Sequence, residues 1–356
     1  MPGEGTYRLY NQPSAYYDQM LRDIESAKRY VYLQIYKYYE DETGHRFREA
    51  LINKAKQGIE VKLLIDSWGA NVSPDYFDEL LRLGGEVRFF TKIKFVIDFF
   101  TKNHRRNHRK LLLVDDRISW IGSANINQYS LSWRESMLRL QGEITLQFKK
   151  AFNLDFKIFN RYFFEKNSYI RLLRHGDFEI VRDVPSITKK RINKKFINLI
   201  KHAEKEVLIE TPYFLPGYFL RKALMDACRK GVDVTVIVPR HSDVLMIDIL
   251  RNRYLGPLHQ GGLKFLYYMP GILHAKAMLV DRQIFVLGST NFDYRSFRYM
   301  HEIVLVGKDE TVVRQLHEHI SETIISCEPF DYDKWKNRPR IQMFIEWLIL
   351  PFRHLL

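Results

Sequence analysis

Apolar residues arrive along this chain in short β-branched runs, each preceded by a helix-like stretch and a glycine. AKQGIEVKLLID (55–66) follows this pattern, and CRKGVDVTVIVP (228–239) repeats it. Upstream, YVYLQIYKYYED (30–41) and EVLIETPYFLPG (206–217) are a second matching pair of strand-like runs. Each half of the chain therefore predicts a strand, a helix, a second strand and then a hairpin. That alternation predicts an α/β fold of two lobes, each a mixed sheet flanked by helices. A polar, charged stretch near 165–190 reads as the junction, giving lobes at 1–170 and 171–340 and a tail at 341–356.

The tail has its own pattern. In IQMFIEWLILPFRHLL, Ile341, Phe344, Ile345, Leu348, Phe352 and Leu355 fall near one helical face, beside Trp347 and after Arg338 and Arg340. Its 16 residues, with Glu346 and Pro351 inside, are too few to span a bilayer but suit a helix docked on the core or lying in a membrane interface. The longest apolar stretch elsewhere, Phe89–Phe100, is broken by lysines and an aspartate, and the N-terminus has no signal-peptide pattern, so no transmembrane helix is expected.

The hairpins carry the strongest signal. HRKLLLVDDRISWIGSANIN (108–127) aligns without a gap to HAKAMLVDRQIFVLGSTNFD (274–293), with nine of twenty positions identical. The shared skeleton is H-x-K-x4-D-x6-G-S-x-N. Six fixed positions at roughly 5% usage each make one chance occurrence about a one-in-10^5 event for this length. Two aligned copies identify an internal repeat.

Spacing assigns the residues to faces. Side chains at i and i+2 share one face of a strand, so His108 and Lys110 stand together, as do His274 and Lys276. A two-residue turn at Asp116–Arg117 would set His108 opposite Asn125 and Lys110 opposite Ser123. The equivalent turn at Arg282–Gln283 would set His274 opposite Asn291 and Lys276 opposite Ser289. Asp115 and Asp281 complete the motif's catalytic set of letters. They fall at an odd spacing, on the far face, and are read as opening the turns. Glu135 and Glu302, which follow the two motifs at similar distances, are better candidates to orient the histidines.

A His–Lys–Ser–Asn cluster that occurs twice suits phosphodiester chemistry. One histidine attacks phosphorus and the other protonates the leaving alkoxide, while lysines, Ser and Asn meet the phosphate oxygens. The lysines supply the positive charge, so neither metal nor other cofactor is expected. His104, four residues before His108, could form a zinc pair with it, but LLLV reads as strand and a third ligand is lacking. His104 is placed at the rim. Tyr213, Arg240 and His241 could line the pocket or pack elsewhere.

Charge narrows the partners. Lys and Arg exceed Asp and Glu by 56 to 42, a net +14, which favours nucleic acid, phosphorylated substrates or an acidic lipid surface. Two cysteines, Cys228 and Cys327, make no disulfide framework and fit a reducing compartment.

At RNHRKLLLVDD and LHAKAMLVDR the sequence resembles the phospholipase D superfamily, and within it the bacterial cardiolipin synthases of the short, non-transmembrane class. IETPYFLPGYFLRKAL (209–224) and GSTNFDYRSF (288–297) extend the likeness. The resemblance implies pseudo-twofold lobes with the site between them. It implies His108 as nucleophile, forming a phosphohistidine, and His274 as general acid/base. Lys110, Lys276, Asn125 and Asn291 would bind phosphate, with Ser123 and Ser289 in support. It further implies a phosphatidyltransferase making cardiolipin or a related lipid, with anionic phospholipids such as phosphatidylglycerol as partners, peripheral on the inner membrane of a bacterium. A hydrolytic phospholipase D, a phosphatidylserine-synthase-like transferase and a nuclease are the alternatives. The chain departs from the usual pattern at Ser123, Glu135 and His301.

Overall fold

The structure, a computed structural model, describes residues 5–90, 105–159, 173–185 and 190–351. Two mixed sheets carry the fold. The first has seven strands, ordered Thr6–Tyr10, Met137–Gln141, Ile118–Gly122, Leu111–Val114, Tyr30–Ile35, Glu60–Asp66 and Glu86–Phe90. The second repeats the same sequence of pairings from Met300–Gly307 through Ile284–Gly288, Ala277–Val280, Glu206–Glu210 and Asp233–Pro239 to Lys264–Tyr268. In each, the parallel strands are joined by helices and the motif hairpin adds antiparallel partners. The strand Tyr30–Ile35 is buried along its whole length, as expected of a parallel strand covered on both faces. Glu42–Lys56, the helix that follows it, starts at Asp41, whose carboxylate accepts from the Gly44 N–H at 3.0 Å.

One apolar cluster draws on both sheets. It includes Leu111, Leu113 and Leu138 from the first and Ala277, Leu279, Leu287 and Leu305 from the second. The halves thus share a core, and any site between them has rigid walls.

The hairpins differ from expectation by one residue. Leu111 pairs with Ile121 and Val114 with Ile118, so three residues, Asp115–Arg117, form the loop. Likewise Val280 pairs with Ile284 around Asp281–Gln283. The reason is the backbone at Asp115 and Asp281, each at φ 53°. Aspartate tolerates that left-handed conformation better than most residues.

Asp115 and Asp281 therefore do not belong with the catalytic residues. The Asp115 carboxylate accepts the backbone N–H groups of Lys28, Arg29 and Tyr30 at 2.8–3.3 Å, fastening the turn to the start of the neighbouring strand. Asp281 does the same for Glu204, Lys205 and Glu206 at 2.7–3.2 Å. Replacing Asp115 with Ala is expected to cost about 2 kcal/mol of stability, as for loss of a multiply bonded cap. Thermal unfolding checks this, and the folded fraction should keep nearly full turnover per molecule; normal stability with lost turnover would return Asp115 to the site.

Within 165–190, Leu173–His175 and Phe178–Asp183 pair as an antiparallel hairpin on the edge of the second sheet. His175 lies opposite Phe178, leaving Gly176 and Asp177 in a two-residue turn with Gly176 at φ 52°.

Candidate active site

His108 and Lys110 lie just ahead of the first hairpin's ladder, in an extended segment held by the other lobe. Asn107 sits opposite His301, and His108 donates its backbone N–H to the His301 carbonyl at 3.0 Å. The arrangement is reciprocal: His274 donates its backbone N–H to the Arg134 carbonyl at 2.8 Å. Each motif is thus propped against the opposite half.

The glutamates complete the exchange. Glu302 of the second lobe hydrogen-bonds His108 Nδ1 at 3.0 Å, and Glu135 of the first lobe hydrogen-bonds His274 Nδ1 at 2.7 Å. All four side chains are buried. With Nδ1 bonded to a glutamate, Nε2 is the nitrogen left to each ring for chemistry. Tyr36 packs edge-on to His108 at 4.9 Å, and Trp133 tilts against His274 at 5.1 Å.

The two pairs are electrostatically unequal. Burial would raise Glu135, but His274 and Lys276 outweigh it and hold this carboxyl below its ordinary range. Burial dominates at Glu302, where Ser289 and Lys110 offset it only partly, and pushes it up to about 8. His108 is driven well below the ordinary imidazole value by burial, then by Lys110 and Lys276. His274 is lowered too, by burial, but Glu135 opposes the shift.

Lys110 and Lys276 face the same space. Each donates to the carbonyl of its own histidine, Lys110 to His108 and Lys276 to His274, at 2.7 Å, which uses one of three N–H groups. Burial and then the charge of Lys276 lower Lys110 well below its usual value, and burial takes Lys276 down to about 8. Two buried ammonium groups that disfavour one another gain most from an anion between them.

Ser123 and Ser289 do not stand across from the lysines, because of the shifted register. Ser289 Oγ donates to Glu302 and accepts the Ile303 N–H at 3.0 Å. Ser123 Oγ accepts the Ser136 N–H at 2.9 Å, on the strand entry that carries Glu135. Both serines hold the glutamate-bearing segments rather than reach toward a substrate. The glycine before each is needed for that approach: a Cβ on Gly122 would stand 2.1 Å from the Ser136 carbonyl oxygen, and one on Gly288 2.3 Å from that of Ile303.

Asn125 accepts the Lys37 N–H on its side-chain oxygen at 3.1 Å, which leaves its NH2 group as donor. Asn291 is buried, and its side-chain oxygen has no hydrogen-bond partner among the described residues. Tyr213 donates to Asp243 at 2.5 Å, and Asp243 acts electrostatically on both His274 and Lys276, placing this pair at the site's edge. Arg240 and His241 are exposed, and His104 lies outside the described residues.

Tyr36, Trp133, Lys37 and Asp243 went unread in the sequence. Trp133 adjoins the WRES segment that flagged Glu135, a usable signal. Tyr36 sits in an aromatic run that offers none.

Residues 20–156 and 196–324 match the family described as cardiolipin synthase, PLD-like domain. The chain is 31% identical over 351 residues to the major cardiolipin synthase ClsA of Bacillus subtilis, covering 94% of this chain and 73% of that protein. It is 32% identical to cardiolipin synthase 1 of Staphylococcus aureus (strain MRSA252), covering 93% and 70%. Among solved structures, phosphatidylserine synthase of Haemophilus influenzae shares the fold, with TM-score 0.77 over 98% of this chain and 93% of that one at 14% identity. Polyphosphate kinase of Porphyromonas gingivalis shares it at TM-score 0.66 and 13% identity, over 99% and 54%.

Proposed function

The chain belongs to the cardiolipin synthase family of phospholipase D-like proteins, a family of phosphatidyltransferases, and on that premise we propose how its residues act. The substrates are anionic phospholipids, with phosphatidylglycerol as donor and acceptor, met at a membrane surface. His108 Nε2 attacks the donor phosphorus while His274 Nε2 gives its proton to the departing glycerol oxygen. The resulting phosphatidyl–His108 is then attacked by a hydroxyl of a second phosphatidylglycerol, which returns a proton to His274 as the N–P bond breaks. Cardiolipin and one glycerol leave.

The crossed, unequal His–Glu pairs carry this division of labour. His274 rests on the carboxylate that stays ionised, which stabilises an imidazolium and suits an acid. His108 is the more strongly deprotonated imidazole and suits a nucleophile. Lys110, Lys276 and the Asn125 amide group meet the phosphate oxygens, whose charge grows in the transition state.

This predicts a bell-shaped kcat/KM profile. The lower limb is protonation of the nucleophile His108, well below the ordinary imidazole value, and the upper limb is loss of the acid's proton from His274, also below that value. Glu302→Gln removes the carboxyl bonded to His108 Nδ1, so the lower limb should move and kcat fall by about 10- to 100-fold. An unmoved lower limb would separate Glu302 from His108 function.

Phosphatidylglycerol vesicles, incubated with the chain in EDTA and read by lipid mass spectrometry, test the activity. Cardiolipin and glycerol in equal amounts are expected, at a rate EDTA does not change because lysines neutralise the phosphate. Phosphatidic acid alone would make the protein a hydrolase. No lipid product, with DNA degraded instead, would sink the reading.

A further inference from the structure

The helix Arg340–Leu348 is mounted inside out. Its buried residue is Glu346, 1% exposed, which receives Arg338 through two hydrogen bonds of 3.0 and 2.9 Å. Arg338 lies over the Trp335 ring at 4.1 Å, and Trp335 donates its indole N–H to the Asn252 carbonyl at 2.7 Å on the helix Leu245–Gln260. The segment is therefore anchored by its polar side. Its apolar side faces out, with Ile341 64%, Phe344 55% and Trp347 60% exposed.

An ordinary docked helix does the reverse. The cost of leaving such a face in water is unrelieved unless something covers it.

Two other apolar outcrops adjoin it. Ile349 and Leu350, just beyond the helix, pack on a small cluster of Leu215, Ile247 and Leu250. Close to Leu215 in sequence is Phe219, 73% exposed, and close to Ile247 are Leu245 and Met246, 71% and 41% exposed. This cluster borders the catalytic cleft. Leu215 pairs with Asp293, two residues past Asn291, and Tyr213 packs on the cluster while its hydroxyl reaches Asp243.

We propose that this face, made by the helix Arg340–Leu348 with Phe219, Leu245 and Met246, seats the protein on an anionic phospholipid bilayer so that the cleft opens onto the headgroup layer. The inference rests on the transferase reading, since a diacyl substrate must bring its phosphate to buried histidines while its chains stay in lipid. Charge complements the surface: the chain carries a net +14, and Lys222, Arg253, Lys336 and Arg340 stand exposed on the same three elements or beside them. Trp347 and Phe344, stacked at 6.1 Å, are side chains suited to the interfacial layer. A second copy of the chain would bring the same positive charges face to face, which disfavours it as the occupant.

Sedimentation with phosphatidylglycerol vesicles tests this with two double variants, Phe344→Ser/Trp347→Ser and Phe219→Ser/Leu245→Ser. All four positions are exposed, so folding should be retained, and circular dichroism checks it. Each variant is expected to bind vesicles about tenfold more weakly or worse, as loss of two inserted side chains implies. Turnover of a water-soluble p-nitrophenyl phosphodiester should stay within about twofold, because the residues lie outside the chemistry. Unchanged vesicle affinity overturns the inference. So does a wild-type dimer that both variants dissolve without weakening vesicle binding. Should wild type bind vesicles through this face yet make no cardiolipin, the transferase reading fails and the docking face stands.

Discussion

A His108→Ala chain is expected to lose phosphatidyl transfer by about 10^4-fold or more, with normal folding. It should also release no p-nitrophenol from a p-nitrophenyl phosphodiester, although that leaving group needs no acid. His108 Nδ1 is held by Glu302 at 3.0 Å, so Nε2 is the attacking atom, and burial with Lys110 and Lys276 keeps the ring unprotonated. Removing it removes the atom to which phosphorus is transferred, and a leaving group that departs by itself cannot compensate. Steady-state and burst kinetics check this. A burst of p-nitrophenol from His108→Ala would assign the nucleophile elsewhere.

His274→Ala should fail differently. With a phospholipid donor the departing glycerol alkoxide needs a proton, and loss of a general acid typically costs 10^2- to 10^4-fold, so transfer is expected to fall by about that much. With the p-nitrophenyl donor the first step no longer depends on the acid. One equivalent of p-nitrophenol should then appear quickly, after which turnover stalls, because no base remains to activate the incoming hydroxyl. Identical behaviour of the two variants on both donors would remove the division of roles that the unequal glutamates support. Glu135 at 2.7 Å, held ionised by His274 and Lys276 against its burial, is the physical basis for assigning the proton to His274.

Much of this was legible in the chain because it is local. The repeated H-x-K and G-S-x-N spacing survives as two hairpins with matching strand order, and the β-branched runs became the parallel strands. Glu135 and Glu302 were readable as partners of the histidines because each follows its own motif at a similar distance. Their exchange was not, since the bonded pairs are 194 and 139 residues apart and depend on how the lobes dock. The register slipped by one because turn length follows backbone conformation, here the left-handed Asp115 and Asp281, rather than the pattern of side chains. The same slip turned Ser123 and Ser289 from apparent phosphate neighbours into struts for the glutamates. The polar stretch around 173–183 marks the start of the second lobe in the sequence but not its hairpin, since an edge strand with one solvent face has the composition of a loop. In the tail, periodicity identified an amphipathic helix but could not tell which face would be turned inward.

Where the phosphoryl group rests between the two half-reactions decides which histidine is the nucleophile. The direct measurement is rapid quenching of His274→Ala with the p-nitrophenyl phosphodiester, followed by peptide mass mapping under conditions that preserve phosphoramidates. The adduct is expected on His108, at close to one equivalent. An adduct on His274 in the His108→Ala chain, with none on His108 in the His274→Ala chain, would contradict it.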